Sequence, residues 1–234
     1  MRVFGVIPAR GGSKGIPQKN LREIAGKSLL AYTAEAARSS RRLTTTIVST
    51  DDPAIAEVAR ALGIEVPFIR PRDLADDAAP MLPVLQHAVR EMAARGSALD
   101  AVVLLQPTSP LRRAEHIDAA VDLLAATGAD TVVSVVEVPH HFNPASVMQL
   151  EDGRLRPLAN GASVLRRQDK PRLYARNGPA VLAVRVAQLG RGDLYDGDTR
   201  ALVMEPEDSV DIDTPWDLEL VEFILSRRTA PHAG

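Results

Sequence analysis

The chain contains no cysteine. That alone excludes disulfides, thiol nucleophiles and cysteine-ligated zinc. Aromatic residues make up 3% of the 234 positions, so each one outside a core has to be accounted for. Neither sign of charge prevails: 28 Lys and Arg against 30 Asp and Glu leave a formal charge of −2, which offers nucleic acid nothing to bind. No apolar run approaches the ~20 residues of a membrane span, and no membrane partner is expected. Met1-Arg2 leads straight into an apolar strand rather than a secretory leader, so the expected compartment is the cytoplasm. Hydrophobic residues are plentiful at 45%, enough for one packed core.

What is there is concentrated first in Val3 to Asn20, VFGVIPARGGSKGIPQKN. Val3 to Ile7 is long enough for a buried strand. It opens into Gly11, Gly12 and Gly15, interleaved with Arg10, Ser13, Lys14 and Lys19. Glycines let backbone N–H groups approach an anion, and the cations neutralise its charge. The spacing matches neither G-x-x-x-x-G-K-[ST] nor G-x-G-x-x-G. A solvated surface loop has the same composition. Its position after the first strand of an α/β pattern favours a ligand site, because such sheets bind beyond the carboxyl ends of their strands.

The rest of the chain supplies that pattern. Helices are expected at Ser28–Arg38, after Asp52-Pro53 up to Gly63, at Leu82–Ala94 and at Ala114–Ala126. Strands are expected at Thr45–Ser49, Glu65–Ile69, Ala101–Leu105, Thr131–Val136, Pro179–Val184 and Val210–Ile212. This alternation predicts a parallel, three-layer α/β sheet. Pro139 to Arg176 is polar and turn-rich, and reads as a β-rich excursion or arm. Thr214-Pro215-Trp216-Asp217 reads as Ncap to N3 of a last helix ending near Arg227. The expected organisation is one domain over residues 1–228, an arm at about 139–176 and a frayed tail at 229–234.

Two further motifs carry chemistry. Asp211 and Asp213 in SVDID share a face if that segment is a strand. Paired carboxylates of this kind suit Mg²⁺ or Mn²⁺; a helix cap beside a solvated aspartate is the alternative. LQPTSPLR, Leu105 to Arg112, follows an apolar strand and offers Gln106, Thr108, Ser109 and Arg112 as polar contacts. An ordinary proline-shaped loop has the same look.

IPARGGSKGIPQKN, LQPTSPLR, the RNG at Arg176–Gly178 and DSVDIDTPWDL stand in the order found in the acylneuraminate cytidylyltransferases, a family that the chain resembles from about Val3 to Leu218. The resemblance implies a Rossmann-like nucleotidyltransferase fold, mostly parallel, with a dimerisation arm and a homodimeric state. It implies transfer of CMP from CTP to the anomeric hydroxyl of a sialic-acid-like ulosonic acid, with release of pyrophosphate. Arg10, Ser13, Lys14, Lys19 and Asn20 would bind triphosphate and ribose. Arg70 and Gln106 would face the base, and Thr108 would lie beside the sugar. Gln168, Tyr174 and Asn177 would line the sugar side, and Arg167 would reach its carboxylate across the dimer. Asp211 and Asp213 would hold Mg²⁺. Arg10, Lys14, Lys19 and Asp211 would act in catalysis, with Asp211 as the candidate base. Met81 stands where a Ser or Thr that helps to read cytosine is expected, and no lysine follows His140-His141. These departures keep GTP or another NTP, and a sugar phosphate or phosphonate acceptor, as alternatives. A nucleotide-binding paralogue without activity is a third.

Overall fold

The computed structural model describes residues 1–12, 15–76, 79–158, 166 and 170–229. In chain order the elements are β1 (Val3–Pro8), β2 (Glu23–Ile24), β3 (Lys27–Ser28), α1 (Leu29–Ser39), β4 (Thr45–Ser49), α2 (Pro53–Ala61) and α3 (Met81–Ala94). There follow β5 (Ala101–Leu104), α4 (Ala114–Thr127), β6 (Thr131–Glu137), β7 (Met148–Glu151), β8 (Arg154–Pro157) and β9 (Tyr174–Arg176). The chain closes with β10 (Leu182–Arg185), α5 (Val186–Leu189), β11 (Thr199–Val203) and α6 (Pro215–Thr229).

The central sheet runs β11-β6-β10-β5-β1-β4. β1 is parallel to β4 and β5, and β11 to β6, whereas β10 is antiparallel to both neighbours and β9 pairs antiparallel with β6. The period of two along β1 sorts its side chains into two cores. Val3 and Ile7 pack with Leu30, Val48, Val103, Ile117 and Leu124, beneath α1, α2 and α4. Phe4 and Val6 pack with Ile47, Leu85, Val102, Leu104 and Leu182, beneath α3. The result is the expected three-layer, mostly parallel architecture.

Local chemistry sets the boundaries. Ser28 caps α1 by accepting from Ala31 N at 3.1 Å. Asp52 caps α2 by accepting from Ala54 N at 2.7 Å, with Pro53 in the first turn. Asp217 reaches back to accept from Thr214 N at 2.7 Å, as the third position of a capping box does.

Five expectations need correction. The sheet is not wholly parallel, because β10 enters it from the opposite direction. Glu65–Ile69 makes isolated bridges at its two ends; Pro67 between them has no N–H for a ladder. Val210–Ile212 joins no strand; one bond, from Ile212 N to Thr108 O at 2.8 Å, ties it to the sheet edge. The excursion ends earlier than Arg176, since Tyr174–Arg176 is already a strand of the main sheet. Its β7–β8 hairpin stands apart as a two-stranded sheet with exposed residues throughout. α6 continues to Thr229; the rest of the expected tail, 230–234, lies outside the described residues.

One buried carboxylate fastens α6 to the start of α4. Asp208 is 4% exposed and accepts from Arg113 at 2.8 Å and Arg228 at 2.5 Å, with His116 Nε2 at 3.4 Å. Asp208→Ala strands these cations around an emptied site. With Arg113 and Arg228 partly open to solvent, the loss expected in unfolding free energy is about 1–2 kcal/mol, measured by urea denaturation; a parent-like midpoint would refute the assignment.

Candidate active site

A cleft of about 460 Å³ opens at the carboxyl edge of β1 and β5. Four segments meet there. The loop after β1 brings Arg10, Gly15, Lys19 and Asn20. The loop after β5 brings Gln106 and Thr108. Arg70 and Met81 enter from the stretch between β4 and α3. Asp211 and Asp213 come from the segment before α6.

The first and last of these segments touch. Lys19 Nζ donates to Asp213 Oδ1 at 3.1 Å, across 194 positions of sequence. Gly15 lies against the same segment, where a Cβ would stand 3.1 Å from the Asp213 carbonyl oxygen. Asn20 is 7% exposed, and its Nδ2 donates to Arg10 O at 2.9 Å, so it holds the loop's course as well as lining the cleft. Asp211 Oδ1 accepts from Ser109 Oγ at 3.3 Å. Burial pushes the Asp211 carboxyl above the ordinary carboxylate range. The Asp213 charge adds to the shift, while the Thr108 and Ser109 hydroxyls and Lys19 oppose it.

Gln106 Nε2 donates to Gly178 O at 3.1 Å. Gly178 has φ +117, and a Cβ there would lie 3.0 Å from Ser109 Oγ and 3.3 Å from Asp211 Oδ1. The glycine of RNG is therefore dictated both by backbone and by the room the carboxylate needs. Arg112 is buried and bridges Gln106 O and Ala180 O, each at 3.0 Å. With no carboxylate beside it among the described residues, burial brings its guanidinium down to about 9.

Arg70 is 4% exposed, and its Nε and Nη2 have no hydrogen-bond partner among the described residues. Burial lowers its pKa, with Asp51 opposing. Its buried donors on the cleft wall match a ligand acceptor. Met81 faces the same space with a thioether, not a hydroxyl.

Arg10, Lys19, Asn20, Arg70, Gln106, Thr108, Asp211 and Asp213 are thus brought together. Asn177 is not: it is 5% exposed and knotted to Ser134, Ser209 and Ala180 N. Tyr174, 46% exposed on β9, does not line the cleft. Ser13, Lys14, Arg167 and Gln168 lie outside the described residues. The sequence reading missed Asp51, whose Oδ1 accepts from Gly11 N at 3.1 Å. Its signal was an acidic pair at the carboxyl end of β4, of which the second member alone was read, as a helix cap.

Comparison with known proteins adds a family. A family model described as Cytidylyltransferase matches residues 4–225. The CMP-N,N'-diacetyllegionaminic acid synthase of Legionella pneumophila is 34% identical over 226 residues, covering 96% of this chain and 97% of that one. The pseudaminic acid cytidylyltransferase of Campylobacter jejuni is 28% identical, with 96% of each covered. The N-acylneuraminate cytidylyltransferase A of Danio rerio is 34% identical, covering 94% of this chain and 50% of that longer one. Among solved structures, a CMP:2-keto-3-deoxy-manno-octonic acid synthetase complexed with CTP shares the fold, with a TM-score of 0.72 at 18% identity over 97% of this chain and all of that one.

The raised Asp211 pKa has a consequence for stability. The folded state holds the Asp211 proton more tightly than the unfolded chain does. Stability therefore declines as pH rises from the ordinary carboxylate range through the raised value. Asp211→Asn is expected to melt at a higher temperature than the parent at pH 7.5 in EDTA, with the gap closing below about pH 4. A lower melting temperature at pH 7.5 would contradict the burial cost.

Proposed function

The chain belongs to the cytidylyltransferase family, and from that premise we propose that it transfers CMP from CTP to the anomeric hydroxyl of a sialic-acid-like ulosonic acid, releasing pyrophosphate. The observation that carries this reading is the meeting of Lys19 with Asp213 in one cleft that also holds Arg10, Arg70 and Asp211. In this reading the cations bind the triphosphate and the acids serve the acceptor hydroxyl.

In this reading the acceptor oxygen attacks the α-phosphorus and pyrophosphate leaves on the opposite side. The work is positioning and charge stabilisation. Arg10 and Lys19, with Lys14, offset charge on the departing pyrophosphate. Arg70 and Gln106 meet the base, and Asn20 the ribose. Asp211 is the candidate acceptor of the hydroxyl proton. Asp211 and Asp213 are also a donor set that fits Mg²⁺ or Mn²⁺. Mg²⁺ is usually bound by one or two carboxylates together with substrate phosphates, and when bound it would supply Lewis-acid charge neutralisation.

Thr108, on the cleft wall, would lie beside the acceptor; Arg167 and Gln168 stay assigned to it by the family resemblance alone. Legionaminate, pseudaminate and neuraminate name the acceptors of the relatives, and the same chemical class is proposed here. A homodimer in the cytoplasm completes the reading. Its structural support is the hairpin, where Leu150 and Leu155 face each other across the strands at 68% and 65% exposure. Met81 favours a second reading with a base other than cytosine, since a thioether offers no donor.

The decisive assay combines each of four NTPs, Mg²⁺ and a panel of ulosonic acids, with pyrophosphate and product mass as readouts. CTP is expected to turn over, giving a CMP-ulosonate; turnover with another NTP alone would replace the first reading by the second. Lys19→Ala is expected to lower kcat/KM by about 10²-fold or more without a change in melting temperature. Full activity in that variant would remove Lys19 from the mechanism. Leu150→Asp combined with Leu155→Arg is expected to sediment as a monomer; a variant that stays dimeric would place the interface elsewhere.

A further inference from the structure

Four consecutive residues at the carboxyl end of β4, Ser49 to Asp52, hold the two sides of the nucleotide cleft. Ser49 O accepts from Ala9 N at 3.0 Å, and Thr50 O accepts from Arg70 N at 2.7 Å. Asp52 caps α2 and closes on Gly11, where a Cβ would lie 2.9 Å from the Asp52 Cβ. Asp51 sits between. Its Oδ1 accepts from Gly11 N at 3.1 Å, and the same oxygen lies 3.8 Å from Arg70 Nη2.

A carboxylate beside a loop suited to phosphates repels the ligand that loop would receive, so its presence needs a compensating use. Asp51 has two. It anchors the backbone of the glycine loop, and it faces the Arg70 guanidinium, whose side chain is 3% exposed. At 3.8 Å this is an ion pair without a hydrogen bond, so it directs Arg70 while leaving Nε and Nη2 for a ligand acceptor. Resting on the nucleotide-site reading above, we infer that Asp51 is a positioning residue that sets phosphate grip and base selection through one carboxylate: Gly11 N fixes the first, Arg70 the second.

The two functions separate in the side chain. Asp51→Asn keeps an acceptor for Gly11 N and removes the charge facing Arg70. Asp51→Ala removes both. The test is calorimetric titration of each variant and the parent with CTP, UTP and inorganic tripolyphosphate, all with Mg²⁺, alongside thermal melts. Asp51→Asn is expected to bind tripolyphosphate within about twofold of the parent, while its preference for CTP over UTP falls by about fivefold or more. Asp51→Ala is expected to lose affinity for tripolyphosphate as well. Parent-like base preference in Asp51→Asn overturns the inference, and that variant decides it even where Asp51→Ala fails to fold. A generally loosened protein would lose tripolyphosphate and CTP affinity together in Asp51→Asn, which also overturns it. A parent that shows no preference for CTP removes the reading of the nucleotide site and this inference with it. A selective parent with an equally selective Asp51→Asn removes this inference alone.

Discussion

Ile212 is completely buried, and its N–H donates to Thr108 O at 2.8 Å. The candidate site depends on that one anchor. Its side chain packs with Ile16, Ile24, Leu29, Leu111 and Val221, so one apolar residue joins the N-terminal loop, α1, the loop after β5 and α6. Full burial of an isoleucine is worth about 1.5–3 kcal/mol, enough to fix the segment without a strand ladder. Asp211 and Asp213 flank it and both reach the cleft. The ion pair between Lys19 and Asp213 is an effect of this arrangement. Asp213 is 76% exposed, and pairs so open to solvent contribute about 0–1 kcal/mol. Packing brings the acids to the loop, and charge then selects what binds between them.

The cleft's charges bear on the ligand proposed for it. Among the described residues, Arg10, Lys19 and Arg70 face Asp51, Asp211 and Asp213, three of each sign. The signs are interleaved: Lys19 meets Asp213 at 3.1 Å, and Arg70 lies 3.8 Å from Asp51. Such balanced charge suits the ligand proposed above, an anion brought together with a divalent cation. This is the electrostatic content of the proposed use of a metal-bound triphosphate.

Much of this was legible before folding was considered. Val3 to Pro8, the glycine-rich loop and the AVVLL strand announce themselves by apolar runs ending in turn chemistry. Asp52 and Asp217 announce caps by type and position, whereas Ser28 reads as the first helical residue and proves to be the cap of α1. What escaped was pairing at a distance. Nothing in PAVLAVR says that β10 runs against β5 and β6, because a strand buried on both faces has the same composition in either direction. Arg112 reads as an exposed polar contact, yet it is a buried brace between two carbonyls. Asn177 reads as a ligand by resemblance, yet its amide is consumed by Ser134, Ser209 and the backbone. The side chain of Asp51 is indistinguishable from a second helix-capping residue until Gly11 arrives beside it.

The same distinction divides the proposed labour of the site. Residues assigned to the nucleotide sit on loops fixed by the core: Ile212, Asp51 and Arg112 each brace one of them. Residues assigned to the acceptor, Arg167, Gln168 and Tyr174, belong to the arm or its base. The described part of that arm is a hairpin with no core of its own, and isolated two-stranded hairpins are marginally stable in water. Its exposed Leu150 and Leu155 need a cover that the described part of the chain does not provide, which is what the proposed second copy supplies. An arm ordered by a partner can change its sequence without disturbing the sheet. Relatives with 28–34% identity carry the names of different acids, diacetyllegionaminic, pseudaminic and N-acylneuraminic. In the proposed reading, a nucleotide edge braced by the core and an arm that lacks a core would let the acceptor change while the nucleotide stays the same.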